Sequence, residues 1–364
     1  MHLPKRSIYD QTEQELGLWF TSQGEQAFRA AQVWKWLYVK RVTCFADMSD
    51  LSLATRALLS EHFSLVPLKE TCVQRSKDGT MKYLFELADG NAIETVLMEH
   101  TYGLSICVTT QVGCNIGCSF CASGLLPKKR DLTAGEIVAQ LLFIQKQLDL
   151  ETKPKRISHI VIMGIGEPFD NYAHVLRFIQ IVNHPKGLSI GARHITVSTS
   201  GLVPKIKAFA HEGLQVNLAI SLHAANDALR TQLMKINKAF PLEKLMEAID
   251  YYLQHTNRKV TLEYLLLKDI NDLESCAFEL ANLILSGNRL HLIHVNLIPY
   301  NPVYELDPYK RSEPKAIHRF VSILRAQGIS AVVRGEHGTD IDAACGQLRS
   351  KQIKASSKLA TSRT

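Results

Sequence analysis

The chain has 364 residues, of which 46% are hydrophobic and 21% are charged, a composition typical of folded globular proteins rather than of disordered ones. Lys and Arg outnumber Asp and Glu by 42 to 35, and the formal net charge of +7 favours a polyanionic partner without requiring one. The start of the chain, MHLPKRSIYDQTEQELG, contains no signal-peptide core, and no apolar run reaches the length of a membrane span. We therefore expect a cytoplasmic protein that does not associate with membranes.

Two helices are predicted at the beginning of the chain, in residues 11–24 and 25–41. In the second helix, apolar residues alternate with basic ones at helical spacing. The apolar residues are Phe28, Val33, Trp34, Leu37 and Tyr38. We interpret residues 1–70 as a small helical accessory domain that packs this apolar face inward. Its basic face is a candidate RNA contact, although packing alone accounts for the pattern.

The spacing of apolar residues changes to a period of two in residues 71–100. Asp78-Gly79 and Asp89-Gly90 are turn signals within this segment. It is predicted to be a β-meander that links the helical domain to the rest of the chain.

Residues 101–345 alternate short β-rich runs with helical segments. The runs are LSICVTT, ISHIVIMG, HITVSTS, QVNLAISLH, KVTLEYLLL, LIHVNLIPY and ISAVVRG. Apolar strands separated by helices indicate a parallel sheet covered by helices, and about six such units suit a partial (βα)6 barrel of the α/β class. Ligands of such folds bind at the carboxyl ends of the strands. Residues 346–364 are polar and basic, and we expect them to form a disordered tail.

Three of the eight cysteines, Cys114, Cys118 and Cys121, are spaced C-x3-C-x2-C directly after the first barrel run. In a reducing compartment such a cluster indicates metal or redox chemistry rather than a disulfide framework. Structural zinc usually takes four ligands, and the chain has no second C-x2-C or H-x3-H pair, so zinc is the weaker interpretation. Three thiolates on a [4Fe-4S] cluster leave one iron open to a substrate or cofactor. A chance arrangement of packed cysteines is the remaining alternative.

This cysteine spacing on a βα series resembles the radical S-adenosylmethionine (SAM) superfamily. In that superfamily SAM chelates the open iron, and one electron from the cluster cleaves SAM to a 5′-deoxyadenosyl radical. The sequence GIGEP, residues 164–168, resembles the superfamily segment that meets the amino group of SAM. The resemblance implies a radical-SAM barrel with a [4Fe-4S] cofactor.

Motifs along almost the whole chain resemble the RlmN/Cfr family of radical RNA adenine methyltransferases, and specifically its RlmN branch. They are CVTTQVGCNIGCSFCAS, VIMGIGEPFDN, GARHITVSTSG, SLHA and DIDAACGQLRSK. The resemblance implies methylation of C2 of an adenosine in 23S rRNA, at the peptidyl transferase centre, and of the adenosine next to the anticodon in tRNA. It also implies one [4Fe-4S] cluster, two SAM molecules per turnover, and an electron donor such as flavodoxin or ferredoxin. Nothing in the sequence requires more than a monomer.

The same resemblance assigns roles to individual residues. Cys345 would accept a methyl group as an S-methylcysteine intermediate, give up a hydrogen to the SAM-derived radical and then carry the RNA base. Cys107 would resolve this adduct through a transient disulfide with Cys345, and Glu94 would act as the proton acceptor. Contacts to SAM are implied for Gly166, Glu167, Ser198, Ser221, Leu222, His223 and Asn301. Without the resemblance, Glu94 would be interpreted as a solvated strand residue, Cys345 as a buried thiol, and the serines as helix caps.

Two other functions remain open at the level of sequence. A C8-methylating, antibiotic-resistance enzyme shares nearly all of these motifs. A non-enzymatic iron–sulfur RNA-binding protein is the alternative from a different class. The joint presence of Glu94, Cys107 and Cys345 beside the cysteine cluster argues against the latter.

Overall fold

A computed structural model describes residues 5–65, 68–303, 309–344 and 346–348. The predicted site residue Cys345 and residues 349–364 lie outside the described residues. The described residues contain ten α-helices: α1 (Glu13–Ser22), α2 (Arg29–Lys35), α3 (Leu53–His62), α4 (Ala134–Asp149), α5 (Tyr172–Asn183), α6 (Val203–Phe209), α7 (Asp227–Leu233), α8 (Leu242–Thr256), α9 (Glu274–Leu285) and α10 (Pro314–Ala326). They also contain fourteen strands: β1 (Arg6–Ser7), β2 (Phe63–Ser64), β3 (Lys69–Arg75), β4 (Met81–Glu86), β5 (Ala92–His100), β6 (Gly103–Cys107), β7 (Gln111–Val112), β8 (Arg130–Asp131), β9 (Ile157–Ile162), β10 (Ile195–Thr199), β11 (Asn217–Ser221), β12 (Val260–Leu266), β13 (Ile293–Pro299) and β14 (Ser330–Val333).

One ten-stranded sheet organises the molecule, in the order β14-β13-β12-β11-β10-β9-β6-β5-β4-β3. Seven neighbouring strands of this sheet pair in parallel, namely β6, β9, β10, β11, β12, β13 and β14. The connections between them contain helices, as the near-continuous apolar runs predicted. Because β3 and β14 stand at opposite ends of the order, the sheet of the described residues stays open. The predicted α/β class and partial barrel are confirmed.

The predicted meander consists of β3, β4 and β5, which pair in antiparallel fashion and join the barrel through β5 and β6. Both predicted turns are present, and Gly79 and Gly90 adopt positive φ angles of 86° and 78° there. These angles suit glycine because it has no Cβ to clash in the left-handed region. The meander therefore extends the barrel sheet instead of forming a separate layer.

Helices dominate the segment before the meander. A reciprocal capping box begins α1, in which the Thr12 hydroxyl accepts from the Glu15 N–H at 3.2 Å and the Glu15 carboxylate accepts from the Thr12 N–H at 2.8 Å. The apolar face predicted for the second helix is buried, with the exception of Phe28, which is 59% exposed. Phe28 differs because α2 begins at Arg29, so that its side chain precedes the helical face.

The helical segment is fixed to the barrel by polar contacts as well as by the shared core. Arg41 pairs with Asp149 at 2.6 Å, and Arg177 pairs with Glu15 at 2.8 Å. The side chains of Trp34 and Tyr38 belong to the same continuous apolar core as the barrel strands. These contacts tie the segment to α4 and α5. In the part of the chain that the structure describes, no helix is both long enough and apolar enough for a bilayer span.

Candidate active site

The three clustered cysteines lie in the loop that follows β6, and they line one cavity at the carboxyl ends of the barrel strands. Short backbone contacts hold this loop in place. The N–H of Cys114 donates to the carbonyl of Leu126 at 3.0 Å, and the N–H of Ser119 donates to the carbonyl of Leu233 at 2.9 Å. The buried ring of Phe120 packs into a small apolar cluster that forms part of the cavity wall. The loop is therefore anchored at its first cysteine and between its last two.

The donor set of this loop fits an iron–sulfur cluster. Burial raises the pKa of Cys114 to about 11 and the pKa of Cys118 well above its usual value, so these thiols become thiolates only if a bound metal compensates their charge. Among the described residues, no group of three or more Cys, His, Asp or Glu side chains is arranged to hold a single ion. A cubane cluster spaces its ligands more widely, because each thiolate binds a different iron. The three thiols that line one cavity supply the donor set of a three-thiolate cluster.

The GIGEP segment follows β9 and packs tightly against the chain that leaves β6. Gly166 has a φ of 106°, and a Cβ built there would lie 2.5 Å from the Cβ of Gln111. A Cβ on Gly164 would lie 2.6 Å from the carbonyl oxygen of Val108. Both glycines therefore permit a close approach that no larger residue allows. The approach lets the Gln111 side chain accept a hydrogen bond from the N–H of Glu167 at 2.8 Å.

Glu167 is a buried carboxylate that joins the ends of two strands at the cavity wall. Its oxygens accept hydrogen bonds from the N–H of Phe169 at 3.0 Å and from the N–H of Ser200 at 2.7 Å. Burial raises its pKa, and the two backbone donors oppose this effect. Glu167 thus presents a fixed acceptor at the cavity.

His223 lines the cavity next to Phe120, with ring centroids 4.8 Å apart. Its Nδ1 accepts a hydrogen bond from the N–H of Leu265 at 3.0 Å. Burial, with a further contribution from the charge of Arg230, lowers the pKa of His223 to about 3. The ring is therefore neutral at physiological pH, and its proton resides on Nε2.

Two buried charged residues escaped the sequence analysis: Glu263 lines the cavity, and Arg230 bonds the backbone of the lining residues Ser200 and Ser221. Arg230 donates to the carbonyls of Ser200 at 2.9 Å and Leu222 at 3.2 Å, and it joins the ends of β10 and β11. Glu263 accepts from the side chain of Asn296 at 3.2 Å, and burial raises its pKa. A charged residue within an apolar strand was the available signal for Glu263. Arg230 offered no such signal, because a short helix with Arg resembles an ordinary solvated helix.

A second cavity adjoins the first, and the two share the lining residues Met163, Ile298, Arg334 and Leu348. Cys107 and Asn301 line this second cavity, together with Val96 and Met98 of β5. Glu94 lies on the same face of β5 as these two residues, since strand side chains alternate with a period of two. It is buried beside Lys82, whose Nζ lies 3.5 Å from Oε1.

The predicted site residues thus separate into four groups. One cavity is lined by Cys114, Cys118, Cys121, Gly166, Glu167, Ser198, Ser221 and His223. Cys107 and Asn301 line the adjoining cavity, and Glu94 lies near it without lining it. The side chain of Leu222 belongs to the apolar core, and its backbone joins β11 to β12.

Cys345 forms the fourth group, because it lies outside the described residues. Its neighbours Ala344 and Gly346 line the second and the first cavity, respectively. No disulfide joins the cysteines that the structure describes, so the disulfide predicted for Cys107 and Cys345 stays a prediction.

Comparison with known proteins agrees with this geometry. The profile of the Radical SAM superfamily matches residues 108–276, and the profile described as the ribosomal RNA large subunit methyltransferase N-terminal domain matches residues 7–65. The first match includes the cysteine loop, GIGEP and the strands β9 to β12. The second covers the helical segment before the meander.

Similar proteins cover nearly the whole chain. A protein of Enterococcus faecalis named "probable dual-specificity RNA methyltransferase RlmN" is 61% identical over 97% of this chain and 98% of its own length. A protein of the same name from Shouchella clausii is 59% identical over 98% of this chain and 100% of its own length. The crystal structure of a radical SAM methyltransferase from Sphaerobacter thermophilus is 43% identical, has a TM-score of 0.89, and covers 95% of this chain and 100% of its own. The chain therefore belongs to the RlmN family of radical SAM RNA methyltransferases.

Proposed function

We propose that this protein methylates C2 of an adenosine in 23S rRNA, at the peptidyl transferase centre, and of the adenosine next to the anticodon in tRNA. The observation that carries the proposal is the contact between two cavities, one lined by the three clustered cysteines and the other by Cys107. Relatives named dual-specificity RNA methyltransferase RlmN, at 61% and 59% identity, support RNA as the substrate and favour this branch over the C8-methylating one.

The proposed reaction explains why such a site is needed. C2 of adenine lies between two ring nitrogens and is electron-poor, so it does not attack the methyl group of SAM directly. Cys114, Cys118 and Cys121 would hold a [4Fe-4S] cluster, which together with SAM supplies the one-electron chemistry that this carbon requires. The electron would come from a carrier such as flavodoxin or ferredoxin.

The side chains of the first cavity would orient SAM. Glu167 presents a fixed carboxylate to the amino group of SAM, because its own backbone contacts hold both oxygens. The neutral ring of His223 offers its Nε2–H as a donor, and Ser198 and Ser221 add hydroxyls on the same wall. Gly166 lines the same cavity and lets its backbone pass close to Gln111, which holds the N–H of Glu167. Asn301 would complete the site from the adjoining cavity.

The thiols of the proposal have separate roles. Cys345 takes a methyl group from one SAM by ordinary displacement and later carries the base, so that two SAM molecules are used per turnover. Glu94, with the Lys82 ammonium 3.5 Å away to compensate its charge, accepts the proton from the base. Cys107 then attacks the sulfur of Cys345, and the bond between this sulfur and the carbon on the base breaks. The released carbon takes up a proton and becomes the methyl group of the RNA, and the disulfide that remains must be opened by a reductant. The chain is proposed to act as a monomer.

Anaerobic reconstitution with iron and sulfide, followed by incubation with RNA, reductant and isotope-labelled SAM, tests the function. We expect 2-methyladenosine by mass spectrometry of the digested RNA, and no product from the Cys118→Ala variant. A label at C8 would favour the resistance branch. The absence of both methyl transfer and SAM cleavage by the cluster-loaded protein would favour an RNA-binding protein without activity.

A further inference from the structure

Five aromatic side chains contact one another in series, beginning at the second cavity. His194 stacks on His159 with ring centroids 4.4 Å apart, and His159 meets the edge of Tyr102 at 4.8 Å. Tyr102 stacks on His100 at 4.6 Å, and His100 meets the edge of His337 at 4.5 Å. We refer to these five residues as the aromatic ladder.

The ladder lies at the edge of the barrel opposite the cysteine loop. His194 immediately precedes β10, Tyr102 immediately precedes β6, and His159 is the third residue of β9, so these rings mark the amino ends of neighbouring strands. At the other end of the ladder, His337 lines the cavity that contains Cys107. The ladder therefore runs from His337 in the lining of the second cavity to His194 at the amino ends of the barrel strands.

Solvent reaches the ladder, and positive charge lies close to it. Tyr102 is 62% exposed, and His194 is exposed as well. Burial and then the neighbouring imidazoles lower the pKa of His100 and of His159, which keeps both rings uncharged at neutral pH. The exposed Arg193 adjoins His194, and the charge of Arg334 acts on both His100 and Tyr102. Flat neutral rings beside cations form a surface suited to nucleotides, whose bases stack and whose phosphates are anionic.

We propose that Tyr102, His159 and His194 form a stacking platform for the unpaired nucleotides that flank the target adenosine. This inference rests on the proposed function, since it requires the target base to enter the cavity next to His337. Proteins that bind single-stranded RNA hold unstacked bases on Tyr and His rings, and such stacking tolerates different bases. One platform could therefore receive the flanks of both a ribosomal and a transfer RNA target. Nδ1 of His337 lies 3.8 Å from the carboxylate of Asp78, so a change of His337 would also disturb this contact. His337 is therefore left unchanged in the variants that test the platform.

Three double variants of the full-length, reconstituted protein test the platform. In the first, Tyr102→Leu and His159→Leu remove two flat rings but keep apolar side chains. In the second, Tyr102→Phe and His159→Phe restore flat rings. The matched control is Tyr251→Leu with His255→Leu, because these two rings stack with centroids 3.9 Å apart on α8, outside the ladder. None of the variants removes a Lys or Arg.

The measurement is the affinity for an unmethylated anticodon stem–loop RNA that carries 2-aminopurine next to the target adenosine. We expect the leucine ladder variant to bind this RNA at least about fivefold more weakly than wild type, which is the smallest loss of affinity expected when one base–aromatic stack is removed. The fluorescence of 2-aminopurine in the complex should rise, because the rings that quench it by stacking are absent. The slope of affinity against salt should not change, since the phosphate contacts remain. The phenylalanine variant and the α8 control should behave as wild type.

Wild-type affinity in the leucine ladder variant would overturn the platform. An equal loss in the α8 control would overturn it too, because the effect would not be local. Thermal melting reports any unfolding, and the single Tyr102→Leu change on an exposed ring keeps the comparison decisive in that case. Wild-type protein that binds the RNA without methylating it would contradict the proposed function alone, since the affinity comparison does not depend on turnover.

Discussion

The Nδ1 atom of His223 accepts a hydrogen bond from the backbone N–H of Leu265 at 3.0 Å, across the ends of β11 and β12. This contact requires an unprotonated Nδ1 and therefore assigns the ring proton to Nε2. His223 has a φ of 58°, in the left-handed region that few non-glycine residues adopt. Neighbouring strands thus fix both the backbone and the tautomer of a side chain that lines the cavity.

We predict that the His223 ring does not titrate between pH 5 and 8. Its pKa of about 3 in the folded chain lies below the ordinary histidine value. Between these two pKa values the unfolded chain binds a proton on this ring and the folded chain does not. The contribution of His223 to the free energy of unfolding is fully present above the ordinary histidine pKa. It decreases as the pH falls below that value, by up to about 1.4 kcal/mol per pH unit. Nitrogen-15 NMR of histidine-labelled, iron-free protein reports the tautomer directly.

His223→Asn is the matched variant for this experiment. Asparagine tolerates a positive φ, and its side-chain oxygen can accept the Leu265 N–H. It should remove one histidine signal and reduce the loss of stability at acidic pH measured by urea unfolding. A signal that shifts with an ordinary histidine pKa, and is absent from the variant, would contradict the buried neutral ring.

The second prediction concerns the close approach at Gly166. The change Gly166→Ala places a Cβ 2.5 Å from the Cβ of Gln111 and forces a left-handed φ on alanine. Gln111 must move, which disturbs its hydrogen bond to the N–H of Glu167. We expect SAM binding, measured by equilibrium dialysis with the reconstituted protein, to fall at least about tenfold, the equivalent of 1.4 kcal/mol.

Gly191→Ala is the control for this change. Gly191 has a negative φ of −59°, and a Cβ there meets no atom within 4 Å. This variant should bind SAM as wild type does. Comparable affinity in both alanine variants would show that the cavity adapts to the added methyl group.

The third prediction concerns the buried guanidinium of Arg230. Its contacts to the carbonyls of Ser200, Ser221 and Leu222 bring together the ends of two barrel strands. The change Arg230→Met fills similar space but leaves these carbonyls without their donor, so we expect the free energy of unfolding to fall by about 3 kcal/mol. Arg319→Met, on the exposed face of α10, should change it by less than about 0.5 kcal/mol in the same urea titration. Similar losses in the two variants would exclude a special role for the buried network.

Local patterns account for what the sequence predicted correctly. The parallel strands followed from apolar runs, the meander from alternation and Asp-Gly turns, and the cysteine loop from its spacing. The exposure of Phe28 was missed because α2 begins at Arg29, four residues after the predicted start at residue 25. The buried Arg230 and the neutral His223 depend on partners 30 and 42 residues away, respectively, which no local pattern encodes. Local sequence patterns therefore predicted the strands and the cysteine loop of the candidate site, but not the protonation states or the buried contacts of its side chains.

The last prediction separates the two thiols of the proposed mechanism. Cys107 is required only after the base is bonded to Cys345, so Cys107→Ala should form the adduct and then stall, with RNA covalently attached to the protein. A band that survives denaturation and disappears on ribonuclease treatment would reveal it. Cys345→Ala should give no adduct, and the double variant should give none either, because no sulfur accepts the methyl group.

Cys72→Ala is the matched control for Cys107→Ala, since Cys72 is a half-buried strand cysteine of the meander. It should methylate RNA at the wild-type rate without trapping it. A trapped band in both variants would indicate an indirect effect of removing a strand thiol. Normal turnover by Cys107→Ala, with no trapped RNA, would mean that Cys107 does not resolve the adduct. Its place in the wall of the second cavity, beside Val96 and Val161, would then be structural.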